Sequence, residues 1–182
     1  MFKFAQKVGW KLQKRDEELI REFCSKIGVE RQVFKNGVKD LYLTLISYPL
    51  PIVTILGAKS LRELVLVGFT LIPDSLYSGA VSCNSLRKIY ISSVRFDENV
   101  FQTLLNSCPL VVSVTLEYCS GLEKIKSDSL KFLKIQYCRD IWEIDAPNLA
   151  SLEYACWYQI PQLKIVRVSW KAIHLEKYVK II

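Results

Sequence analysis

The residues with the greatest chemical potential in this sequence are six cysteines and a single histidine, His174. The cysteines are Cys24, Cys83, Cys108, Cys119, Cys138 and Cys156. No C-x-x-C occurs, and His174 is far in sequence from any cysteine pair, so a zinc site is not expected. The steps from Cys83 to Cys108 and from Cys119 to Cys138 instead equal the lengths of the sequence repeats described below. We therefore predict free thiols that line a repeated interior and no disulfide framework.

Other catalytic or cofactor-binding motifs are absent from the sequence. It contains no G-x-S-x-G, and one histidine provides no recognisable Ser-His-Asp or Cys-His arrangement. The segment "GAKS" at Gly57–Ser60 is similar to the end of a phosphate-binding loop but lacks the upstream glycine and precedes a predicted strand, not a helix. We interpret it as a turn, and we predict no enzyme activity, no cofactor and no metal.

Two neighbouring stretches of equal length align without a gap, and they indicate which elements position these residues. They are residues 111–129, "VVSVTLEYCSGLEKIKSDS", and residues 130–148, "LKFLKIQYCRDIWEIDAPN". Writing L for any aliphatic residue, both have the pattern L-x-x-L-x-L-x-x-C-x-x-L, which is typical of a cysteine-type leucine-rich repeat. Units of this kind are too small to bury an apolar face alone and share one continuous core.

Further copies of the strand pattern lie on both sides. They begin at Val38, Leu61, Leu86, Leu149 and Leu163. We predict an α/β fold, a leucine-rich-repeat solenoid with a parallel concave sheet and an irregular helical or extended convex side. Long units have room for a convex helix, and one is expected from Asp97 or Glu98 to Pro109. The two shorter aligned units have no room for a helix. We therefore expect residues 120–129 and 139–148 to lead back to the next strand as extended or turn structure.

These patterns divide the chain into three parts. Residues 1–37 form a helical lead-in or cap, with a helix beginning at Asp16 and an apolar stripe of Leu19, Ile20, Phe23 and Ile27. Residues 38–170 form the repeat domain, whose last unit is degenerate. Residues 171–182 form a C-terminal tail.

The period of a strand places the third, fifth and seventh positions of each repeat on the concave face. We predict a partner-binding patch on this face, made of Lys88, Tyr90, Phe132, Lys134, Gln136 and Arg167. Mixed aromatic and basic residues are common at protein interfaces. The alternative is structural: Lys134, Glu153 and Arg167 alternate in charge along one row, and they would then neutralise one another.

Charge and hydropathy limit the partners. The formal net charge is +7 and the sequence pI is near 9.1, but the basic residues are spread along the chain with no run of five. We predict no nucleic-acid partner. No apolar run approaches the roughly 18 residues of a membrane span, and the charged N-terminus is unlike a signal peptide. A cytoplasmic or nuclear location, or both, is therefore expected, without membrane attachment.

The segments "NGVKDLYL" (36–43), "SLRELVLVGFTL" (60–71), "SLRKIYISSVRFDENVFQTLLNSCPLV" (85–111) and "EIDAPNLASLEY" (143–154) resemble plant F-box/leucine-rich-repeat proteins. The resemblance implies substrate recognition by the repeats of a ubiquitin-ligase receptor, whose F-box binds a Skp-type adaptor. Residues 1–36 contain Trp10 but no Leu-Pro opening, so adaptor binding is expected only if a longer form contains an F-box. The alternative is a stand-alone repeat scaffold or inhibitor without ligase coupling.

Overall fold

A computed structural model of the chain shows two sheets in its described part, with a helix, Glu98–Ser107, packed beside them. The structure describes residues 21–22, 24–25, 37–44, 55–68, 83–96, 98–155, 161–164, 173–175 and 178–181. The strands of the main sheet are β1 (Asp40–Thr44), β2 (Glu63–Val67), β3 (Lys88–Ser92), β4 (Ser113–Glu117), β6 (Phe132–Gln136), β8 (Ser151–Ala155), β10 (Ile173–Leu175) and β11 (Tyr178–Ile181). They lie in the order β1-β2-β3-β4-β6-β8-β11-β10.

The first six strands of this sheet are parallel and in register. Each pairs position by position with its neighbour, as in the series Leu64, Ile89, Val114, Leu133 and Leu152. The fourth and sixth positions of every repeat are buried, because alternate residues of a strand face opposite sides and the apolar set faces the core. The predicted solenoid with a parallel sheet is therefore confirmed.

The predicted convex helix is α1 (Glu98–Ser107), between β3 and β4. Its buried residues Val100, Phe101, Leu104 and Leu105 recur at helical spacing and face the core. The ring of Phe101 packs edge-on against Phe96, with centroids 5.2 Å apart. The helix ends before Pro109, as the sequence predicts.

The shorter units return through short strands and form a second sheet. It consists of β5 (Lys124–Lys126), β7 (Glu143–Asp145) and β9 (Gln162–Lys164), paired in parallel in that order. Ile125 and Ile144, at equivalent positions of β5 and β7, are fully buried. The extended return predicted for residues 120–129 and 139–148 is confirmed.

The chain leaves four main-sheet strands through the same left-handed conformation. The residue directly after β2, β3, β4 and β6 has a positive φ in each case. These residues are Gly68 (76°), Ser93 (56°), Tyr118 (53°) and Tyr137 (54°). Ahead of β2, the "GAKS" segment is a turn closed by the bond from Leu61 N–H to the Ala58 carbonyl (3.3 Å), as predicted.

The prediction that a parallel repeat starting at Leu163 lies next to β8 in the main sheet is wrong. The segment Gln162–Lys164 belongs to the second sheet, where Leu163 is in register with Ile144. Ile125, Ile144 and Leu163 follow one another at equal intervals in sequence, so Leu163 completes the repeat that begins at Leu149. The place beside β8 is taken by β11, which runs antiparallel to it.

The predicted cysteine interior agrees with the burial of the described thiols. Cys24, Cys83, Cys108, Cys119 and Cys138 are buried and form no disulfide bond. Cys119 N–H donates to Cys138 Sγ at 3.4 Å, which joins equivalent positions of two repeats. The hydrogen bond from the Cys108 thiol lowers the pKa of Cys83 to about 6. The same hydrogen bond and burial raise the pKa of Cys108. Likewise, the Cys138 thiol lowers the pKa of Cys119, and its own pKa is raised.

Part of the N-terminal prediction lies outside the described residues. Arg21, Glu22, Cys24 and Ser25 are helical, in agreement with a helix in this region. The expected start at Asp16 and the apolar stripe of Leu19, Ile20, Phe23 and Ile27 cannot be compared, because those residues are outside the described set.

Candidate functional site: the exposed face of the main sheet

Three rows of side chains cross the face of the main sheet that is turned away from the core. Register defines them, because equivalent residues of neighbouring parallel strands lie side by side, about 4.8 Å apart. The third-position row is Asp40, Glu63, Lys88, Ser113, Phe132 and Ser151; the fifth is Tyr42, Val65, Tyr90, Thr115, Lys134 and Glu153; the seventh is Thr44, Val67, Ser92, Glu117, Gln136 and Ala155. The rows deduced from the repeat pattern are therefore present from β2 to β8.

Lys88 and Phe132 lie in the same row, separated by Ser113. Lys88 is exposed, and Phe132 is 53% exposed although it is a large apolar side chain. Placing Phe132 on this face follows from the strand period, since its neighbours Leu133 and Ile135 fill the core. Two predicted site residues thus face the same side, about two strand spacings apart.

Tyr90 is held by a side chain from the next strand. Its hydroxyl donates to Glu117 Oε2 at 2.7 Å. This hydrogen bond to a carboxylate is the main reason that the pKa of Tyr90 is raised, and burial adds to the effect. Tyr90 is consequently a fixed, half-buried part of the face.

Lys134 and Gln136 are the predicted site residues of β6 besides Phe132. Lys134 Nζ lies 3.9 Å from Glu153 Oε2. These two residues therefore neutralise each other, as the alternative to a binding patch predicts for this row. Gln136 lies between Glu117 and Ala155 in the seventh row. Arg167, the remaining predicted member, lies outside the described residues; the register position next to Glu153 belongs to Lys180 of β11.

The predicted patch leaves out the exposed residues of β1. Asp40, Tyr42 and Thr44 continue the three rows, and Tyr42 is 62% exposed. The negative charge of Glu63 is the main reason that the pKa of Tyr42 is raised, and Asp40 adds to it. The pattern beginning at Val38 contains the signal for this strand, since it assigns Asp40 and Tyr42 to the third and fifth positions.

A pair of exposed tyrosines borders the face where β4 and β6 end. Tyr118 and Tyr137 are 58% and 40% exposed, and their rings stack with centroids 5.3 Å apart. Both tyrosines have a positive φ. Because the chain makes the same left-handed turn after each strand, the two equivalent rings lie side by side. The repeated Tyr-Cys dipeptide is the sequence signal for this ladder.

This arrangement is suited to binding a surface. The face combines exposed aromatic rings with polar groups that are hydrogen-bonded or ion-paired, on strands held in place by backbone pairing. Protein interfaces also combine aromatic anchors, which supply affinity, with polar groups, which supply specificity. Among the described residues, no three His, Cys, Asp or Glu side chains form a group that could hold a metal ion. None of the described helices is long and apolar enough to cross a membrane.

Comparison with known proteins gives a family match over most of the chain. The family model described as "FBD-associated F-box protein At5g56370, LRR repeats" matches residues 29–175. The match includes every strand of the exposed rows from β1 to β8 and also α1 and the second sheet. No solved structure matches the chain.

Curated proteins are similar to the chain over a much shorter stretch. Zinc-finger homeodomain protein 6 of Oryza sativa subsp. japonica is 57% identical over 35 residues, which is 19% of this chain and 14% of that protein. Zinc-finger homeodomain protein 10 of Arabidopsis thaliana is also 57% identical over 35 residues, covering 19% of this chain and 10% of that protein. The chain thus spans about a tenth to a seventh of the length of these relatives.

Proposed function

The chain belongs to the leucine-rich-repeat family of FBD-associated F-box proteins, and from this premise we propose that it recognises a substrate protein for an F-box ubiquitin ligase. The partner would bind the exposed face of the main sheet, which is the concave face of a leucine-rich-repeat solenoid. Lys88, Tyr90, Phe132, Lys134 and Gln136 are its proposed contacts. Arg167 remains a proposed contact from the sequence.

The exposure of Phe132 is the observation that carries this proposal. A side chain that is 53% exposed at the middle of a rigid sheet contributes little to the fold, while it offers a partner a large apolar anchor. Polar groups on the same face, Tyr90 with Glu117 and Lys134 with Glu153, are already paired. A partner can cover these pairs without leaving an isolated buried charge.

The proposal assigns the protein no catalytic reaction and no cofactor. Repeat solenoids present extended surfaces for binding, and substrate modification would be performed by other ligase subunits. Under this first proposal, the protein acts in the cytoplasm or nucleus, without membrane attachment, and its partner is a protein and not a nucleic acid.

The test compares two exposed apolar side chains on different parts of the surface. Phe132→Asp alters the proposed contact face, and Leu110→Asp makes the same change in the turn after α1, where Leu110 is 42% exposed. Proximity labelling in plant cells should identify proteins whose labelling Phe132→Asp abolishes and Leu110→Asp preserves. Equal labelling by the wild type and both variants would refute this face as the recognition surface. Circular dichroism verifies that both variants fold.

Ligase coupling is tested separately with a purified Skp-type adaptor. Because residues 1–36 show no F-box pattern, this chain alone should give no stable complex in size-exclusion chromatography. A stoichiometric complex would contradict that expectation and support direct coupling. Persistent absence of binding, also for longer forms of the protein, would favour the stand-alone scaffold or inhibitor.

The similarity to zinc-finger homeodomain proteins supports a second candidate function, contact with DNA. Homeodomains bind DNA through a helix in the major groove and through contacts to phosphates. The 35-residue similarity is the observation that favours this candidate. Titration of the chain with labelled duplex DNA at increasing salt tests it: salt-sensitive binding in the micromolar range would support DNA contact.

A further inference from the structure

A second feature of the main sheet is a row of basic residues just before the strands. Lys39, Arg62 and Arg87 occupy the position directly before the third-position row in three successive repeats. We define these three residues as the basic strip. All three are exposed.

Backbone hydrogen bonds fix the members of the strip beside one another. The Lys39 carbonyl accepts the Arg62 N–H at 2.6 Å, and the Arg62 carbonyl accepts the Arg87 N–H at 2.8 Å. The same bond continues to Val112, an uncharged residue that separates the strip from Lys131 in the next repeat. The backbones of three cationic residues thus lie on adjacent turns at about the 4.8 Å spacing of neighbouring strands.

Like charges on adjacent strands repel one another unless counter-charges neutralise them. None of the ion pairs among the described residues includes a member of the strip. Arg87 Nη1 donates to the Asn84 and Leu86 carbonyls, at 3.2 and 3.3 Å, and these neutral acceptors leave its charge uncompensated. In contrast, Lys124 and Lys126 of the second sheet are matched with Glu143 and Asp145.

The acidic residues nearest in sequence are Asp40 and Glu63, which lie in the neighbouring third-position row. The negative charge of Glu63 acts on the neighbouring Tyr42, whose pKa it raises. An anionic partner that fits this surface must therefore follow one narrow row of cations and avoid the carboxylates beside it. Double-stranded DNA carries one charge per about 1.7 Å of its axis and would place phosphates over both rows.

We propose that Lys39, Arg62 and Arg87 form a docking strip for an Asp/Glu-rich extended segment of the partner protein. Side chains on one side of an extended chain recur about every 6.8 Å, so two or three carboxylates span the strip. This inference rests on the proposed function and specifies the chemistry of the partner. The exposed ring of Tyr42 lies two residues beyond the start of β1 and gives the segment an adjacent apolar contact.

The probe is a fluorescein-labelled peptide of about nine residues in which Glu alternates with Gly, so that all carboxylates lie on one side of the extended chain. A Gln version is its control. Binding to the full chain is measured by fluorescence anisotropy at about 50 mM salt and again at about 150 mM, where charge interactions are more screened. The Glu peptide should bind more tightly than the Gln peptide. Its affinity should fall as salt increases.

Two double variants make the test specific. Lys39→Gln/Arg62→Gln removes two strip charges, and Lys124→Gln/Lys126→Gln removes two charges that are already paired in the second sheet. The strip variant should weaken Glu-peptide binding roughly tenfold, since each exposed ion pair contributes up to about a factor of five. The control variant, with the same net charge, should change binding less than about twofold.

Three results would overturn the docking strip. They are equal binding of the Glu and Gln peptides, equal weakening by both double variants, and tighter strip-dependent binding of an oligonucleotide duplex than of the Glu peptide. If the strip fails while Phe132→Asp still abolishes partner labelling, the proposed function stands without it. If the strip binds and Phe132→Asp has no effect, the proposed recognition face fails instead.

Discussion

Two adjoining parts of the solenoid have the same inner strand and different outer elements. The longer unit, residues 86–110, contains β3 and returns through α1. The shorter units, residues 111–129 and 130–148, contain β4 and β6 and return through β5 and β7 of the second sheet. In both parts, the fourth and sixth positions of the repeat fill the core. The comparison shows that the strand pattern determines the inner face, while the length of the return determines the outer one.

Both outer elements bury apolar side chains completely. The helix contributes Phe101 and Leu104, and the second sheet contributes Ile125 and Ile144. The two elements also contact each other, because Gln102 of α1 donates to the Lys126 carbonyl of β5 at 3.0 Å. The buried side chains of both elements belong to one hydrophobic cluster, so the core is continuous from the helical unit to the extended units.

The junction between the two parts has a stricter steric requirement than the extended repeat that follows. Gly121 and Asp140 are equivalent residues with positive φ angles of 79° and 73°. A Cβ at Gly121 would collide with the Phe96 carbonyl, which belongs to the helical unit. Asp140 has a side chain in the same conformation, and its Oδ2 accepts the Gly121 N–H at 3.1 Å.

Core truncation should have the largest effect and should show whether the helix and the second sheet are equally important. Phe101→Ala should cost about 4 kcal/mol and Ile144→Ala about 3 kcal/mol of unfolding free energy, because each leaves a cavity among fully buried neighbours. Urea denaturation followed by circular dichroism measures both. Asn106→Ala, at an exposed position of α1, is the control and should cost much less. A negligible cost for Phe101→Ala would mean that the helix is not part of the core.

The matched junction substitutions should have the next largest effect. Gly121→Ala should cost about 3 kcal/mol, since it combines a left-handed conformation with a collision against fixed backbone. Asp140→Gly should change stability by less than about 1 kcal/mol, because the lost hydrogen bond is offset by relief of the unfavourable conformation. Thermal unfolding compares the two variants. Similar costs would remove the proposed difference between the junction and the extended repeat.

The smallest effect is expected for the ion pairs of the second sheet. Lys124–Glu143 and Lys126–Asp145 are 3.5 and 3.9 Å apart, and both lysines are substantially exposed. Lys126→Ala should therefore cost about 0.5 kcal/mol or less, and added salt should reduce the difference. A double-mutant cycle with Asp145→Ala measures the pairwise contribution. Exposed ion pairs contribute at most about 1 kcal/mol. A coupling free energy between Lys126 and Asp145 clearly above that value would show that these charges stabilise the outer sheet more strongly than we expect.

The strand pattern allowed most of the fold to be predicted. A period of two residues, with an apolar fourth and sixth position, fixes which side chains face the core from β1 to β8. Helix α1 was predictable for a similar reason, since its apolar residues follow helical spacing and Pro109 limits it. Leu163 was assigned wrongly because the strands of the second sheet, β5, β7 and β9, are very short and contain too few positions for a distinctive pattern.

The sequence by itself determined the repeat, the inward residues and the rows of the exposed face, because these depend on local periodicity that repeats along the chain. Only the tertiary structure decided which side chains are paired across strands: Tyr90 with Glu117, Lys134 with Glu153, and Tyr118 with Tyr137. It also decided that β11 lies against β8 and that the basic strip has no counter-charge among the described ion pairs. These contacts depend on distances between residues remote in sequence, which local spacing does not specify.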